Sequence, residues 1–330
     1  MSTGTDGPVF ARGFASARRA GTNGSGLARL AEILVCPCCD GDLRDSVEGM
    51  ACPGEGTMFP IREGVLRLLV GDDQEEAAER GMAPAGAWSG GRPPRTLEEA
   101  AALPRSGAAS RSLAWRARAR CADSLLENLR GGSKRVADLG AGCGWFSRML
   151  LAAGHSPIAV DLEVAPPVGI GTIPALGHSF AEIAPVLADM ETLPFRPGSL
   201  DAAVAFGSLS YVRDPPRFLA RLARALRPGG EFFAAMVPVH RDSRAAARAG
   251  QARTKKMGSG ATQLSYRHFV EQELLDWFRE AGFEPRIVEP SYDRAFLLSR
   301  AAKSVVLRSE VARFPLIIGR RTGGAGAGAR

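Results

Sequence analysis

Asp138-Leu139-Gly140-Ala141-Gly142-Cys143-Gly144 sets an acid against three glycines at alternate positions. Glycine admits backbone angles closed to other residues and lets a ligand approach the main chain closely. Such a turn also serves as a plain loop, so its meaning rests on the acids that accompany it. Asp138 can order the turn or receive an ammonium. Asp161 stands about 20 residues beyond the first glycine, where a carboxylate grips two ribose hydroxyls, and Leu162 follows it. Asp189 can accept a hydrogen bond from an adenine amino group, with Met190 against the ring. One acid after a strand is often only a helix cap. Three in succession point to a nucleoside-bearing ligand held by Asp138, Gly140, Ala141, Gly142, Gly144, Asp161, Leu162, Asp189 and Met190, with Phe206 as a further wall.

Acids placed this way need strands that end on a common edge. Strand patterns fall at 135–139, 157–160, 185–187, 201–205, 231–237, 284–288 and 314–319, and helical ones at 145–153, 215–226 and 266–281. This alternation predicts an α/β fold, a mostly parallel sheet with helices on both faces and ligands at the carboxyl ends of its strands. A helix at 113–129, closed by Gly131-Gly132, leads into the first strand. The loop at 164–177 carries Pro166, Pro167, Gly169, Gly171 and Pro174, which must break the helix after the second strand.

A second constellation lies upstream. Cys36 and Cys39 have the C-x-x-C spacing of a zinc knuckle, with Gly41 relieving the tight turn. Cys52 opens what should be a second pair, but Glu55 holds the partner position. Structural zinc sites normally use four Cys or His ligands, so Glu55 or Cys38 would have to complete this one. The rival reading is a metal-free module held by Phe59, Ile61, Val65 and Leu68. Its role is structural or partner-binding either way, since no open catalytic position stands beside an acid or base. The module spans 27–70 and begins with an amphipathic helix at 27–34. A polar, Gly-rich tail at 1–26, expected to be disordered, precedes it. A linker at 71–110, with a short helix at 97–103, separates it from the main domain at 111–322, and a Gly/Ala tail fills 323–330.

The region from Val136 to about Arg321 resembles the class I S-adenosylmethionine-dependent methyltransferases. Val136–Gly144 is similar to motif I, Asp161 to motif II, and Ala188-Asp189-Met190-Glu191-Thr192-Leu193-Pro194-Phe195 to the motif after the third strand. Leu226-Arg227-Pro228-Gly229-Gly230 is similar to the turn that launches the fifth strand. The glycine register also departs from the G-x-G-x-x-G of dinucleotide oxidoreductases. The resemblance implies a Rossmann-like seven-stranded methyltransferase sheet, with the strand at 314–319 antiparallel between those at 231–237 and 284–288, and S-adenosylmethionine as cofactor. Residues 27–70 resemble the zinc ribbon of the Trm112-like family. The opening Cys36-Pro37-Cys38-Cys39-Asp40-Gly41-Asp42-Leu43 and the close Phe59-Pro60-Ile61-Arg62-Glu63-Gly64-Val65-Leu66-Arg67-Leu68-Leu69 carry that likeness. It implies one structural zinc on Cys36, Cys39 and Cys52, with Glu55 as candidate fourth ligand. Many methyltransferases carry an Asn and a His where this chain has Phe206 and Ser210, so the base expected at position 210 is missing.

His240, directly after the fifth strand, is the candidate general base, and Tyr211 is the candidate partner in catalysis, with Tyr266 and His268 also placed to reach an acceptor. Arg241, Arg244, Arg248, Arg253, Lys255 and Lys256 follow as a basic loop, which either grips an anionic acceptor or is simply solvated. A net charge of +7 and a pI of 9.4 admit an anionic partner without demanding one. No aromatic-rich stacking surface accompanies these charges, which weakens the case for single-stranded RNA. The expected acceptor is a small-molecule or lipid-like metabolite. The alternatives are an rRNA or tRNA acceptor, since fusion to a degenerate zinc ribbon resembles the rRNA guanine methyltransferases, and a catalytically silent, cofactor-binding partner subunit. Six cysteines in a chain this long do not read as a disulfide scaffold. No apolar run is long enough for a membrane span, and no secretory signal stands at the N-terminus, so a cytoplasmic location is the expectation.

Overall fold

The computed structural model describes residues 24–69, 93–257 and 266–323. The tails expected over 1–26 and 323–330 and the first part of the linker expected over 71–110 fall almost wholly outside the described residues. The chain enters through α1 (Gly24–Ala31) and continues as β1 (Arg44–Ser46), β2 (Gly49–Cys52), β3 (Thr57–Arg62) and β4 (Val65–Arg67). These strands form an antiparallel meander. Its last hairpin closes through Glu63 and Gly64, both at positive φ (52° and 76°), the geometry a two-residue turn needs to match strand twist.

From residue 93 the chain is helical: α2 (Leu97–Ala101), α3 (Gly107–Arg111) and α4 (Leu113–Asn128). Thr96 caps α2 by accepting from the Glu99 N–H, and Ser112 caps α4 by accepting from the Trp115 N–H. Ala100 and Ala109 are buried against the main domain, so this part of the chain is packed and not a free tether.

The main domain then alternates: β5 (Arg135–Leu139), α5 (Trp145–Ala152), β6 (Ser156–Asp161), α6 (Thr172–Ala175), β7 (Ala184–Leu187), β8 (Leu200–Phe206), α7 (Pro215–Ala225) and β9 (Leu226–Ala235). A single 3-10 turn, Leu209–Tyr211, stands between β8 and α7. The chain closes with β10 (Val239–His240), α8 (Ser243–Met257), β11 (Phe269–Val270), α9 (Glu271–Glu280), β12 (Phe283–Val288), α10 (Arg294–Leu307) and β13 (Leu316–Arg321). Asp214 and Pro215 start α7, which buries Phe218, Leu219 and Leu222 and leaves Arg217 and Arg224 exposed.

One sheet holds eleven strands in the order β1-β2-β3-β4-β7-β6-β5-β8-β9-β13-β12. Its last seven are the expected methyltransferase sheet, with β13 antiparallel to both β9 and β12. The other four belong to the N-terminal module. β4 pairs in parallel with β7, Leu66 opposite Val186 and Arg67 opposite Leu187, so the module extends the sheet and covers an edge that would otherwise present unpaired backbone groups. Arg196 fastens the junction through an ion pair to Asp42 at 2.6 Å and a backbone bond to Ile33 O at 2.8 Å. Leu30, Phe59 and Leu66 share a continuous apolar core with Leu139, Val160, Val186 and Phe232.

Three local expectations change. The stretch after His240 is not a loop but the helix α8, whose Ala245 and Ala246 are buried while its Arg244 and Arg248 are exposed. The helix expected over 266–281 begins only at Glu271, because Phe269 and Val270 pair with Val239 and His240. The helix α10, which sequence periodicity did not reveal, has no buried residue and so lacks the apolar stripe that marks a packed helix.

Candidate functional site

The glycine turn closes β5 and opens α5. Gly140 and Gly144 sit at φ +74° and +69°, and a Cβ on Gly140 would lie 2.3 Å from Ser208 Cβ, so the turn is pressed against the loop after β8. The N–H groups of Gly140 and Ala141 both donate to Val160 O, at 2.8 and 3.0 Å, pinning the turn to the end of β6. Asp138 is buried, and its Oδ2 accepts from Ser147 Oγ at 2.7 Å. Its Oδ1 is buried with no hydrogen-bond partner, and burial pushes the carboxyl pKa up to about 7. An orphaned carboxylate oxygen beside a glycine cradle fits the ammonium of S-adenosylmethionine.

Asp161 is oriented from both sides: Oδ2 accepts the Gly142 N–H at 2.7 Å and Oδ1 the Glu163 N–H at 2.8 Å. The Leu162 N–H also bears on this carboxylate, whose remaining lone-pair capacity can accept from a ribose hydroxyl. Asp189 accepts the Glu191 N–H at 2.8 Å and pairs with Arg213 at 3.2 Å. Arg213 also binds Glu191 at 3.0 Å and so bridges the post-β7 and post-β8 loops, a role the sequence did not suggest. Met190 lies against Gly140, Ala141 is buried in the turn, and Leu162 is half-buried after β6. Phe206 is buried with its ring 4.8 Å from Trp145 and 5.1 Å from Phe146, so it backs the turn as part of an aromatic wall.

The candidate acceptor residues form a second cluster. Tyr211 and Tyr266 meet edge to face with centroids 5.2 Å apart, and Tyr266 lies 5.7 Å from His268. His268 Nδ1 is 2.9 Å from His240 Nε2, and His240 Nδ1 faces Glu310 Oε2 at 3.9 Å. The pairing of β10 with β11 brings the two imidazoles together. His240 is only 1 % exposed, so the structure sets it behind the half-buried His268. Burial lowers the pKa of both rings, and for His268 the neighbouring His240, Arg300, Lys303 and Arg253 add to it, holding it at about 4. Burial raises the Tyr211 phenol above its ordinary range. Ser210, where a base was expected, is buried.

In the N-terminal module the sulfurs of Cys36, Cys39 and Cys52 lie within 4.8 Å of one another. Backbone N–H groups of Cys38 and Cys39 point at the Cys36 sulfur, that of Gly41 at Cys39, and those of Glu55 and Gly54 at Cys52. Converging sulfurs with N–H donors aimed at them suit thiolates on a zinc ion. Glu55 is exposed and outside this group; it contributes its N–H to Cys52. Cys38 is exposed and likewise outside it.

A methyltransferase-domain family model matches residues 113–287, over half of the chain. The chain belongs to that family. Residues 28–64 of this chain match the Trm112p-like protein family. A malonyl-[acyl-carrier protein] O-methyltransferase of Erwinia pyrifoliae is 32% identical over 144 residues, 42% of this chain and 52% of that one. A demethylmenaquinone methyltransferase of Clavibacter sepedonicus is 32% identical over 166 residues, 46% of this chain and 65% of that one. The matches thus span between half and two thirds of these relatives. Among solved structures, geranyl diphosphate C-methyltransferase from Streptomyces coelicolor A3(2), in complex with Mg2+, geranyl diphosphate and S-adenosyl-L-homocysteine, has a TM-score of 0.55 and 20% identity, covering 77% of this chain and 99% of that one. That likeness supports the methyltransferase fold and nothing finer.

A further residue of the candidate site is one that no sequence motif picks out. Arg118, on α4, is buried, with its guanidinium 5.3 Å from the centre of the Trp115 ring. Trp115 meets Trp145 at 5.7 Å, directly after the glycine turn, so Arg118 is built into the wall between cofactor turn and tyrosine cluster. The spacing Trp115-x-x-Arg118 places both side chains on one helix face and was the available signal.

Proposed function

We propose that this protein transfers a methyl group from S-adenosylmethionine to a small-molecule acceptor. The observation that carries the reading is the buried, unpartnered Asp138 Oδ1 at a glycine turn that also holds Asp161. The cofactor supplies an electrophilic methyl on a sulfonium, which needs alignment and dryness more than further activation. Asp138 receives the ammonium, Asp161 the ribose hydroxyls, and Asp189 with Met190 the adenine. Tyr211 and Tyr266 wall the acceptor. With the His240 proton on Nδ1, towards Glu310, His240 Nε2 accepts from His268 Nδ1–H, and the free His268 Nε2 is the atom able to take a proton from the acceptor. His240 is then the positioning partner of the base, not the base.

A small acceptor is favoured because the tyrosines and histidines of this cluster are buried or half-buried, out of reach of a bulky folded nucleic acid. The relatives reported above are named for malonyl-[acyl-carrier protein] and demethylmenaquinone, neither of them a nucleic acid. The three converging thiols would hold a structural zinc at the sheet edge, away from the reaction.

The test is transfer from radiolabelled S-adenosylmethionine into metabolite extract and into total RNA. Label in a small-molecule fraction, changing less than about 10-fold between 50 and 200 mM salt, is the expected result. Label confined to RNA and falling about 10³-fold or more over that range would replace the reading with an RNA enzyme. A wild-type protein that binds the cofactor yet labels neither would support a partner subunit.

A further inference from the structure

Beyond the cofactor and the base, the cluster concentrates positive charge in a way a neutral acceptor does not need. Arg118 enters from α4, 6% exposed, and acts electrostatically on both Tyr211 and Tyr266. Arg253 enters from α8, hydrogen-bonds the Tyr211 side chain and lies over the Tyr266 ring at 5.6 Å. Arg253 thus borders a pair of phenols whose rings are 5.2 Å apart, and Arg118, on a separate helix, is close enough to act on both. Arg300 and Lys303 add charge from α10, close enough to act on His268. The acids that act on the neighbouring His240 are Glu310 and Asp242. Glu310 is already bonded to the backbone N–H groups of Arg241 and Asp242, and Asp242 to that of Ala245.

Burial lowers the Arg118 pKa, and a sulfonium bound at the adjoining turn brings a further positive charge towards it. A ligand that brings negative charge is attracted by both. It also raises the His268 pKa from about 4, strengthening the base only when the acceptor is seated.

We propose that the methyl acceptor carries an anionic group, a phosphate or a carboxylate, bound between Arg118 and Arg253 at the Tyr211–Tyr266 pair. The inference rests on the methyltransferase reading and names the chemistry of its acceptor. Guanidinium forks suit such groups because they present paired N–H donors in one plane.

The test uses full-length protein saturated with S-adenosylhomocysteine and titrated calorimetrically with inorganic phosphate, pyrophosphate and malonate. At least one anion should bind saturably at one site per chain, and the preferred one distinguishes phosphate from carboxylate chemistry. Arg118→Met and Arg253→Gln should each weaken that binding about 10-fold or more, whereas Arg217→Gln, on the exposed face of α7, should leave it unchanged. S-adenosylhomocysteine affinity should stay within about twofold throughout. If Arg118→Met does not fold, Arg253→Gln carries the result alone. Absence of saturable anion binding in wild type that binds S-adenosylhomocysteine would overturn the proposal and leave the methyltransferase reading standing. So would variants that bind the anion as wild type does. Failure of wild type to bind S-adenosylhomocysteine would overturn the methyltransferase reading, and this inference with it.

Discussion

The proposed pairing of Asp138 with the ammonium makes cofactor affinity depend on pH in a calculable way. Its carboxyl is held at about 7 by burial, and the oxygen available to the ammonium is uncompensated until that ammonium arrives. Only the ionised form pairs with it. One pH unit below 7, about 9% of the ligand-free protein carries the charge, and one unit above, about 91% does. The apparent Kd should therefore fall about 10-fold between pH 6 and pH 8, equivalent to about 1.4 kcal/mol. Calorimetry with S-adenosylhomocysteine, which keeps the ammonium, measures this without turnover. Asp138→Asn preserves the volume and a bond to Ser147 but cannot ionise. It should abolish the slope and weaken binding by about 1.5–3 kcal/mol at pH 8, the range for a hydrogen bond to a charged group.

The ligand-free protein provides an internal check on sign. The unfolded chain releases this proton near 3.8 and the folded chain near 7, so the folded state holds more protons across that window. The Asp138 contribution to stability is thus full below 3.8 and is lost as pH rises through about 7, opposite to its effect on binding. A Kd flat from pH 6 to 8 in wild type, or a slope retained in Asp138→Asn, would refute the assignment of Asp138 to the ammonium.

Other consequences are simpler. Asp161→Ala should weaken S-adenosylhomocysteine binding by about 1.5–3 kcal/mol through loss of the ribose bonds and of the brace on Gly142, again read by calorimetry. Gly140→Ala must place a Cβ 2.3 Å from Ser208 at φ +74°, and should lower the unfolding free energy by about 1–3 kcal/mol in denaturant melts while depressing cofactor affinity. Purified protein should contain up to one zinc per chain by metal analysis, and Cys36→Ser/Cys39→Ser should contain none; unchanged content would dismiss the site. Phe59→Ala, at a position 2% exposed, should cost about 3–5 kcal/mol and shift one cooperative transition, because Phe59 belongs to the core that includes Val160 and Val186. Two calorimetric transitions, with only the first displaced, would mean that the module folds apart from the domain.

The placement of the residues proposed to hold the cofactor was legible because it is local. Gly140, Asp161 and Asp189 are each fixed by the strand they follow, and strand ends are readable from apolar runs broken by glycine or an acid. The acceptor half was only partly legible because tertiary pairing assembles it. His268 was singled out from sequence, but nothing near His240 announces that it meets His268 or Glu310; the β10–β11 pair and the Arg241 and Asp242 N–H groups bring them there. Arg118 was hidden for a different reason: an arginine in a helical pattern reads as solvent-facing, and only the Trp115–Trp145 contact shows that this one turns inward. The basic run after His240 misled in the opposite direction, since its charges suggested a loop while its alanines packed a helix.

The same distinction governs the N-terminal module. Its cysteine spacing was readable, but its most consequential contact, β4 against β7, is a backbone pairing that depends on no side-chain motif. By occupying that edge the module shields the strand whose end carries Asp189 and Met190, and the Arg196–Asp42 ion pair ties it to the segment that follows them. A zinc ion held by Cys36, Cys39 and Cys52 would therefore act on the cofactor site indirectly, by stiffening the ribbon that buttresses β7. With the cofactor placed as proposed, its removal should then weaken affinity chiefly on the adenine side assigned to Asp189 and Met190, and much less at the ammonium assigned to Asp138, whose strand β5 lies on the far side of β6.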